Sequence, residues 1–419
     1  MSLPQKVVST TAELLAACKE AGSRHLVVRG EVSNAPSIRL TPGTILTGDG
    51  DGASISFAAG IDGLQLSSDN EVRNLRLVAS LDRRAIFNDY SVDGLGCIRL
   101  QGIATLGQVQ ILARDKVLSG HVDVDGLDVI AADARTPVDR PSGFGVKVIQ
   151  GAFTLWNMQT DESVVVSAHL KGLSAGRPSA PALGSGIFVS GAGFKGGRLV
   201  VDLLETGAVY SDGKIAPGTP DVITGGVFTV YGAVVDFVHN VGPVVTYGVN
   251  DMVLDNWGAV DQWIAEEKLT SYGPSGIGFV NFGSLNELTA NAPIETFGKG
   301  ARGFNVYDGT LNQATFDRIT THADGAVGVQ ISKPIGRLIV RRGIETFGGT
   351  GDSLVKGVVV TLSAIGLSVK PGGSARAIEV DGGVTTNGQG VAPVELHGTI
   401  DVLRIMGGAQ ATGGGFDKI

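Results

Sequence analysis

The chain has 419 residues, more than one ordinary core supports, since such cores stop growing at roughly 250–300 residues; it holds either two domains or a fold that adds core by adding repeats. Its 63 glycines accompany 43% hydrophobic and only 18% charged residues, which excludes Gly-rich disorder, and the absence of a Gly-X-Y period excludes collagen. The net charge of −8 argues against nucleic acid or an anionic membrane surface as the main partner.

The opening Met1-Ser-Leu-Pro-Gln-Lys-Val-Val8 lacks the apolar core and small-residue cleavage site of a signal peptide, and no run of about 18 apolar residues occurs. The expectation is a soluble protein of the cytoplasm, or of the exterior if a leader has been removed. Thr10-Thr-Ala-Glu13 has the form of a capping box. Leu14, Leu15, Cys18 and Ala21 follow at helical spacing and Gly22 is placed to end the helix. A helix over 10–22 would cover the open end of a solenoid. Cys18 and Cys97 have no metal spacing and are expected to be buried free thiols.

After Gly22 come short β-rich segments divided by Gly, Asn or Asp, such as His25-Leu-Val-Val-Arg29, Ala53-Ser-Ile-Ser-Phe57 and Val72-Arg-Asn-Leu-Arg-Leu-Val78. Insertions are expected near 80–94, 132–143, 172–184, 208–221 and 256–274. In the C-terminal half Ile294-Glu-Thr-Phe-Gly-Lys-Gly-Ala-Arg-Gly303 recurs as Ile319-Thr-Thr-His-Ala-Asp-Gly-Ala-Val-Gly328 and as Ile344-Glu-Thr-Phe-Gly348, a spacing of 25 residues (319 − 294 and 344 − 319). Val384-Thr-Thr-Asn-Gly-Gln-Gly390 and Ala409-Gln-Ala-Thr-Gly-Gly-Gly415 repeat it, again 25 apart (409 − 384). The gap from 344 to 384 is expected to hold two shorter rungs, the second opening near Leu367, with Val358-Val-Val-Thr-Leu362 as a rung strand. A coil of that length accommodates three short strands and three bends. The predicted fold is all-β: a right-handed parallel β-helix, a solenoid with an N-terminal capping α-helix and rung insertions. It is read as one domain over 1–419, with the cap at 10–22, irregular rungs at 23–290 and regular rungs of about 25 residues at 291–415.

Thr11-Ala-Glu-Leu-Leu-Ala-Ala17, then Leu26-Val-Val-Arg-Gly-Glu-Val32, then Ile38-Arg-Leu-Thr-Pro-Gly-Thr-Ile-Leu-Thr-Gly-Asp-Gly50, resembles the opening of pectate-lyase-like β-helix proteins. The resemblance covers about 60 residues closely and the rest only in rhythm. It implies the fold, but a superfamily holding lyases, glycoside hydrolases, epimerases, phage tailspikes and adhesins does not fix a function. The polygalacturonase set of Asn-x-Asp, Asp-Asp, Gly-His-Gly and Arg-x-Lys is missing. Arg135-Thr-Pro-Val-Asp-Arg140 matches the pectate-lyase Arg-x-Pro-x-x-Arg pattern. The resemblance implies that Arg135 would remove the proton α to a uronate carboxylate and Arg140 would bind substrate. Asp123 and Asp125, on one strand face with His121, would then hold calcium. The family's Trp-x-Asp-His motif is absent, and a solvated acidic strand face accounts for the same residues. No cofactor is expected otherwise, calcium being the one alternative.

The preferred site is the stretch 239–272. Here Asp255 and Asp261 would be acid and base, joined by Glu266, with Trp257 and Trp263 as sugar platforms and His239 and Tyr272 as substrate contacts. Asp261-Gln-Trp-Ile-Ala-Glu-Glu-Lys268 reads as a short helix on an inserted loop. The competing reading is a loop whose tryptophans cover a seam of the solenoid. Dinucleotide, P-loop and serine-hydrolase motifs have no support. The function expected is a carbohydrate-active enzyme (lyase, hydrolase, transferase or epimerase) acting on an oligo- or polysaccharide in a groove on the solenoid side. The alternative is a non-catalytic structural or adhesive solenoid of surface or phage type. The partners expected include neither nucleic acid nor membrane, and the chain is read as a monomer or homo-trimer.

Overall fold

The computed structural model describes residues 4–20, 22, 24–355 and 358–414. Two compact units are formed, one by Met1–Val138, Gln150–Gly207 and Tyr231–Val234, the other by Asp139–Ile149, Ala208–Val230 and Val235–Ile419. Each is a parallel β-helix.

In the first unit the strands Gln5–Val8, His25–Ala35, Ile45–Phe57, Glu71–Val78, Cys97–Leu106, Gly120–Ala131 and Val165–Ala175 pair in parallel, each with the next. Register brings Leu26, Leu46, Val72, Leu100, Val124 and Leu170 into one column, and all six are buried. Stacking of like apolar residues along the axis lets coils of poorly matched length share a core. The strand Gln5–Val8, where no element was expected, extends the same sheet.

The capping box forms: Thr10 Oγ1 accepts from the Glu13 amide and the Glu13 carboxylate accepts from the amides of Ser9 and Thr10. The helix is shorter than expected, Thr11–Lys19, because Glu20 is already extended and pairs with Lys6 and Arg24. Gly22 adopts φ +91° beyond that end, and Ala21 lies outside the described residues. Leu14 and Ala17 are fully buried. Both cysteines are free and only partly buried; burial pushes the Cys18 thiol up to about 11.

The second unit holds the 25-residue coil. Its register runs Val244, Leu269, Ile294, Ile319, Ile344, Val384, Ala409, so the period begins two coils earlier than the sequence pattern indicated. One coil contains Leu269–Ser271, Ile277–Asn281 and Ser284–Ala290, the three short strands expected. Inside, Phe279, Phe304, Val329 and Leu367 form one column, and Trp263, Leu288, Ala314, Leu338 and Ile378 another.

Several expectations about insertions fail. Ile344 pairs directly with Val384, so the 40-residue gap (384 − 344) is one coil, not two. The extra length is an antiparallel hairpin, Thr350–Val355 with Val358–Ser363, and the rung strand is Leu367–Val369. A β-rich run cannot by itself show whether it pairs with the next coil or with its own neighbour. The segment 256–274 is likewise no inserted loop. Asp261 lies in the strand Ala259–Ala265, because Val260, Trp263 and Ala265 all turn inward and a helix would break their pairing with Leu285, Leu288 and Ala290. The stretches 80–94 and 208–221 also contain rung strand, in Arg84–Asn88 and Arg198–Asp212.

Candidate functional site

In the second unit the strands Asp251–Asn256, Ile277–Asn281 and Arg302–Val306 carry Asp255, Val280 and Asn305 in register. Two residues further on stand Trp257, Phe282 and Tyr307, on the same outward face. Trp257 meets Phe282 edge-on at 5.9 Å, and Phe282 stacks on Tyr307 at 5.2 Å. An outward face would ordinarily be wet. Here a small antiparallel hairpin, Ser142–Gly143 with Val146–Val148, covers it. At its tip Phe144, held at φ +51°, approaches Phe282 to 4.4 Å and Trp257 to 5.1 Å.

Between hairpin and sheet lies a small pocket, walled mainly by Phe144, Val146, Ile223, Met252, Ile277 and Phe282. Its carboxyl is Asp255, which is 0% exposed, and neither Asp255 oxygen has a hydrogen-bond partner of normal geometry. Burial therefore drives the Asp255 pKa well above the ordinary carboxylate range, opposed only by the Trp257 indole N–H. Ser275, Tyr307 and the Trp257 indole are the other polar side chains of the lining, and an apolar cleft with a few polar groups and a strongly perturbed acid is the usual form of a small-ligand site.

Of the expected site residues, the pocket collects Asp255 and Trp257. Trp257 is 2% exposed and its ring is covered by Phe144, Phe228 and Phe282. Trp263 points the other way, into the coil, with its indole N–H donating to Asn240 Oδ1 at 2.7 Å. Neither tryptophan presents an open face to a sugar ring. Tyr272 is exposed at its edge, but both faces are covered, by Tyr247 at 5.4 Å and Phe297 at 5.1 Å. It belongs to a surface stack that His322 and Phe347 continue, at 4.4 and 5.2 Å; His322 is the ring that fits between two phenylalanines.

Asp261 is exposed and accepts from Asn286 at 3.0 Å. Glu266 accepts from Asn291 at 2.7 Å and lies 3.2 Å from His239, and these two contacts, Asn291 foremost, outweigh desolvation and hold its carboxyl below the usual range. Arg135 makes a two-pronged pair with Asp133 at 2.8 and 2.6 Å in the first unit, while the half-buried Arg140 falls in the second. Asp123 and Asp125 occupy one strand face 3.9 Å from Arg99 and Lys171 respectively. Among the described residues no three His, Cys, Asp or Glu side chains are grouped to hold a metal ion.

A second buried carboxyl, Asp251, lies within the expected stretch 239–272, where the sequence reading gave it no role. It accepts from the amides of Gly213 and Gly248 at 2.9 and 2.8 Å and from the Thr224 hydroxyl, tying a loop to the coil. Desolvation raises its pKa to about 7 despite those three donors. Phe282 and Tyr307 were also missed as site residues, although their spacing from Trp257 is the 25-residue period itself (282 − 257 and 307 − 282).

No helix among the described residues is long and apolar enough to cross a membrane. Comparison with known proteins finds no matching family model, no matching curated protein and no matching solved structure.

Proposed function

We propose that the chain serves as a rigid, non-catalytic structural or adhesive solenoid, of the surface or phage type found among the right-handed pectate-lyase-like β-helices. One observation carries this reading. The ionic and polar groups on the coil faces are engaged with each other across adjacent coils. Glu295 takes both Lys268 and His322, Arg318 takes Glu345, Arg342 takes Asp317, and Asn291 takes Glu266. Pairs of this kind tie coil to coil and favour the stacked arrangement over slipped ones. Surface pairs each contribute little, but arrays of them add specificity of register.

The test is a screen against uronate polymers, glucans and fructans for new reducing ends or unsaturated products, run beside a glycan-binding assay. The expected result is no turnover. Turnover that disappears in Asp255→Asn would overturn the proposal.

That outcome belongs to the second reading, a carbohydrate-active enzyme, which is favoured by the placement of Asp255 and Trp257 in one pocket. Glycoside hydrolysis by the usual routes needs two carboxyls about 5–9.5 Å apart, and Asp255 is the single carboxyl on the pocket wall. A lyase route through Arg135 and calcium at Asp123 and Asp125 would instead show as calcium-dependent formation of unsaturated product.

A further inference from the structure

In the first unit the helix Thr11–Lys19 closes the outermost coil, with Leu14 and Ala17 buried beneath it. The last described coil of the second unit has no such cover among the described residues. Its strands Val394–Leu396, Thr399–Ile405 and Ala409–Ala411 pair with the preceding coil on one side only. The core columns run out into the open here. Leu403 continues the column of Leu338 and Ile378, which are 0% exposed, yet is itself 38% exposed. Leu396 and Val402 are exposed as well. Unpaired strand edges around an uncovered apolar section are a template for further pairing.

We infer that this edge is the docking surface for a second copy of the chain, the two coils meeting about a two-fold axis through the strand Thr399–Ile405. The layout of the coil selects that occupant. A strand of seven residues lies between two strands of three. A two-fold through the middle of the long strand sets it antiparallel to its own copy and exchanges the short ones, so every free edge meets a free edge of equal length. The side chains agree. Reversal of the long strand carries the exposed Asp401 of each copy toward the exposed Arg404 of the other, so opposite charges face across the contact. On the short strands Val394 and Leu396 follow the buried Leu367 and Val369, while Ala409 and Ala411 follow the buried Val384 and Thr386. The exchange therefore sets Leu396 and Val394 against Ala409 and Ala411, large apolar side chains against small ones. Between them Glu395, already held by Lys370 and His397, comes opposite the amide of Gln410, so no like charges are brought together. A surface that complements itself in this way is what a closed two-fold contact requires.

The test is sedimentation velocity on the full chain over a concentration series. The parent should reach a dimer and no larger species. Leu403→Lys, which places an unpaired ammonium in the contact, should raise the dimer dissociation constant at least about tenfold. Asp401→Arg and Arg404→Asp should each weaken the dimer, and the two together should recover it, because the exchanged charges again meet with opposite sign. A monomer at every concentration would overturn the inference and leave the edge to another protein or to chain beyond residue 414. A trimer, a dimer indifferent to Leu403→Lys, or a double swap no better than the single ones would overturn it too. If Leu403→Lys does not fold, the charge swaps, made on exposed side chains, decide alone. The result is independent of whether any polysaccharide is turned over.

Discussion

Replacing Asp251 with Asn should make the protein more stable at pH 8 and change little at pH 4. The carboxyl is fully buried, and its pKa rises from an ordinary 3.8 to about 7 because burial outweighs the three donors from Thr224, Gly213 and Gly248, with Asp212 pushing the same way. A group whose folded pKa lies above its unfolded one contributes its full stabilisation below the unfolded value. It loses that stabilisation as pH rises toward the folded value, because the unfolded chain ionises first. A rise of roughly three units at about 1.4 kcal/mol each puts the loss between pH 4 and pH 8 at about 4 kcal/mol. The amide is isosteric and has no charge to desolvate. Its Oδ1 can keep the Gly213 and Gly248 amides while its Nδ2 donates to the Thr224 hydroxyl, which can turn round and accept. Urea unfolding of both proteins at pH 4 and pH 8 gives the comparison. Taking the difference at each pH cancels the other ionisable groups, Asp255 among them. If Asp251→Asn is less stable than the parent at pH 8, the three donors hold a carboxylate rather than an acid, and the reasoning is refuted.

Other substitutions probe the coil itself. A Cβ at Gly283 would stand 2.0 Å from the Gly258 carbonyl oxygen of the coil beneath, so Gly283→Ala should lower the urea midpoint by an amount worth about 3 kcal/mol; an unchanged midpoint would mean the coils are not in that contact. Trp263→Ala empties the inside of a coil and should destabilise by about 3–5 kcal/mol. If it instead abolished glycan binding and left stability intact, Trp263 would be a platform after all. A double-mutant cycle on Phe297→Ala and His322→Ala should give a coupling of about 0.5–1.5 kcal/mol if the stacked rings at 4.4 Å interact. Glu395 is held down to about 2, with desolvation outweighed by Lys370, His397 and Ser368. Its contribution should therefore be present above about pH 4.5 and fade toward pH 2, so the stability gap between the parent and Glu395→Gln should close over that acid range.

What could be read from the chain, and what could not, divides along one physical line. Residues that stack on their own equivalents write the period into the sequence. Ile294, Ile319 and Ile344 meet at every turn, so each coil must supply the same kind of side chain at the same place, and a period emerges from one chain without any relative to compare. The capping helix was legible for a similar reason, since Thr10 and Glu13 satisfy each other within four residues. The pocket depends instead on a meeting of distant segments. Asp255 and Trp257 are close in sequence and could be picked out, but whether they faced water or protein was decided by Phe144, more than a hundred residues away. The expected partners Asp261 and Trp263 were assigned to the same site by proximity in sequence, but they lie on the next strand, Ala259–Ala265, where alternation breaks after Val260, so that Trp263 turns into the coil while Asp261 faces solvent. A signal was nevertheless present. Trp257, Phe282 and Tyr307 repeat at 25 residues, each two places beyond a central position of an outward-facing strand. Three large aromatics on an outer column would leave an exposed apolar patch of a size that monomeric proteins seldom tolerate. An aromatic outer column at the coil period therefore requires a cover, and in a solenoid a cover must come from an insertion. Of the two antiparallel hairpins among the described residues of the second unit, the one bearing Phe144 at its tip supplies the missing ring.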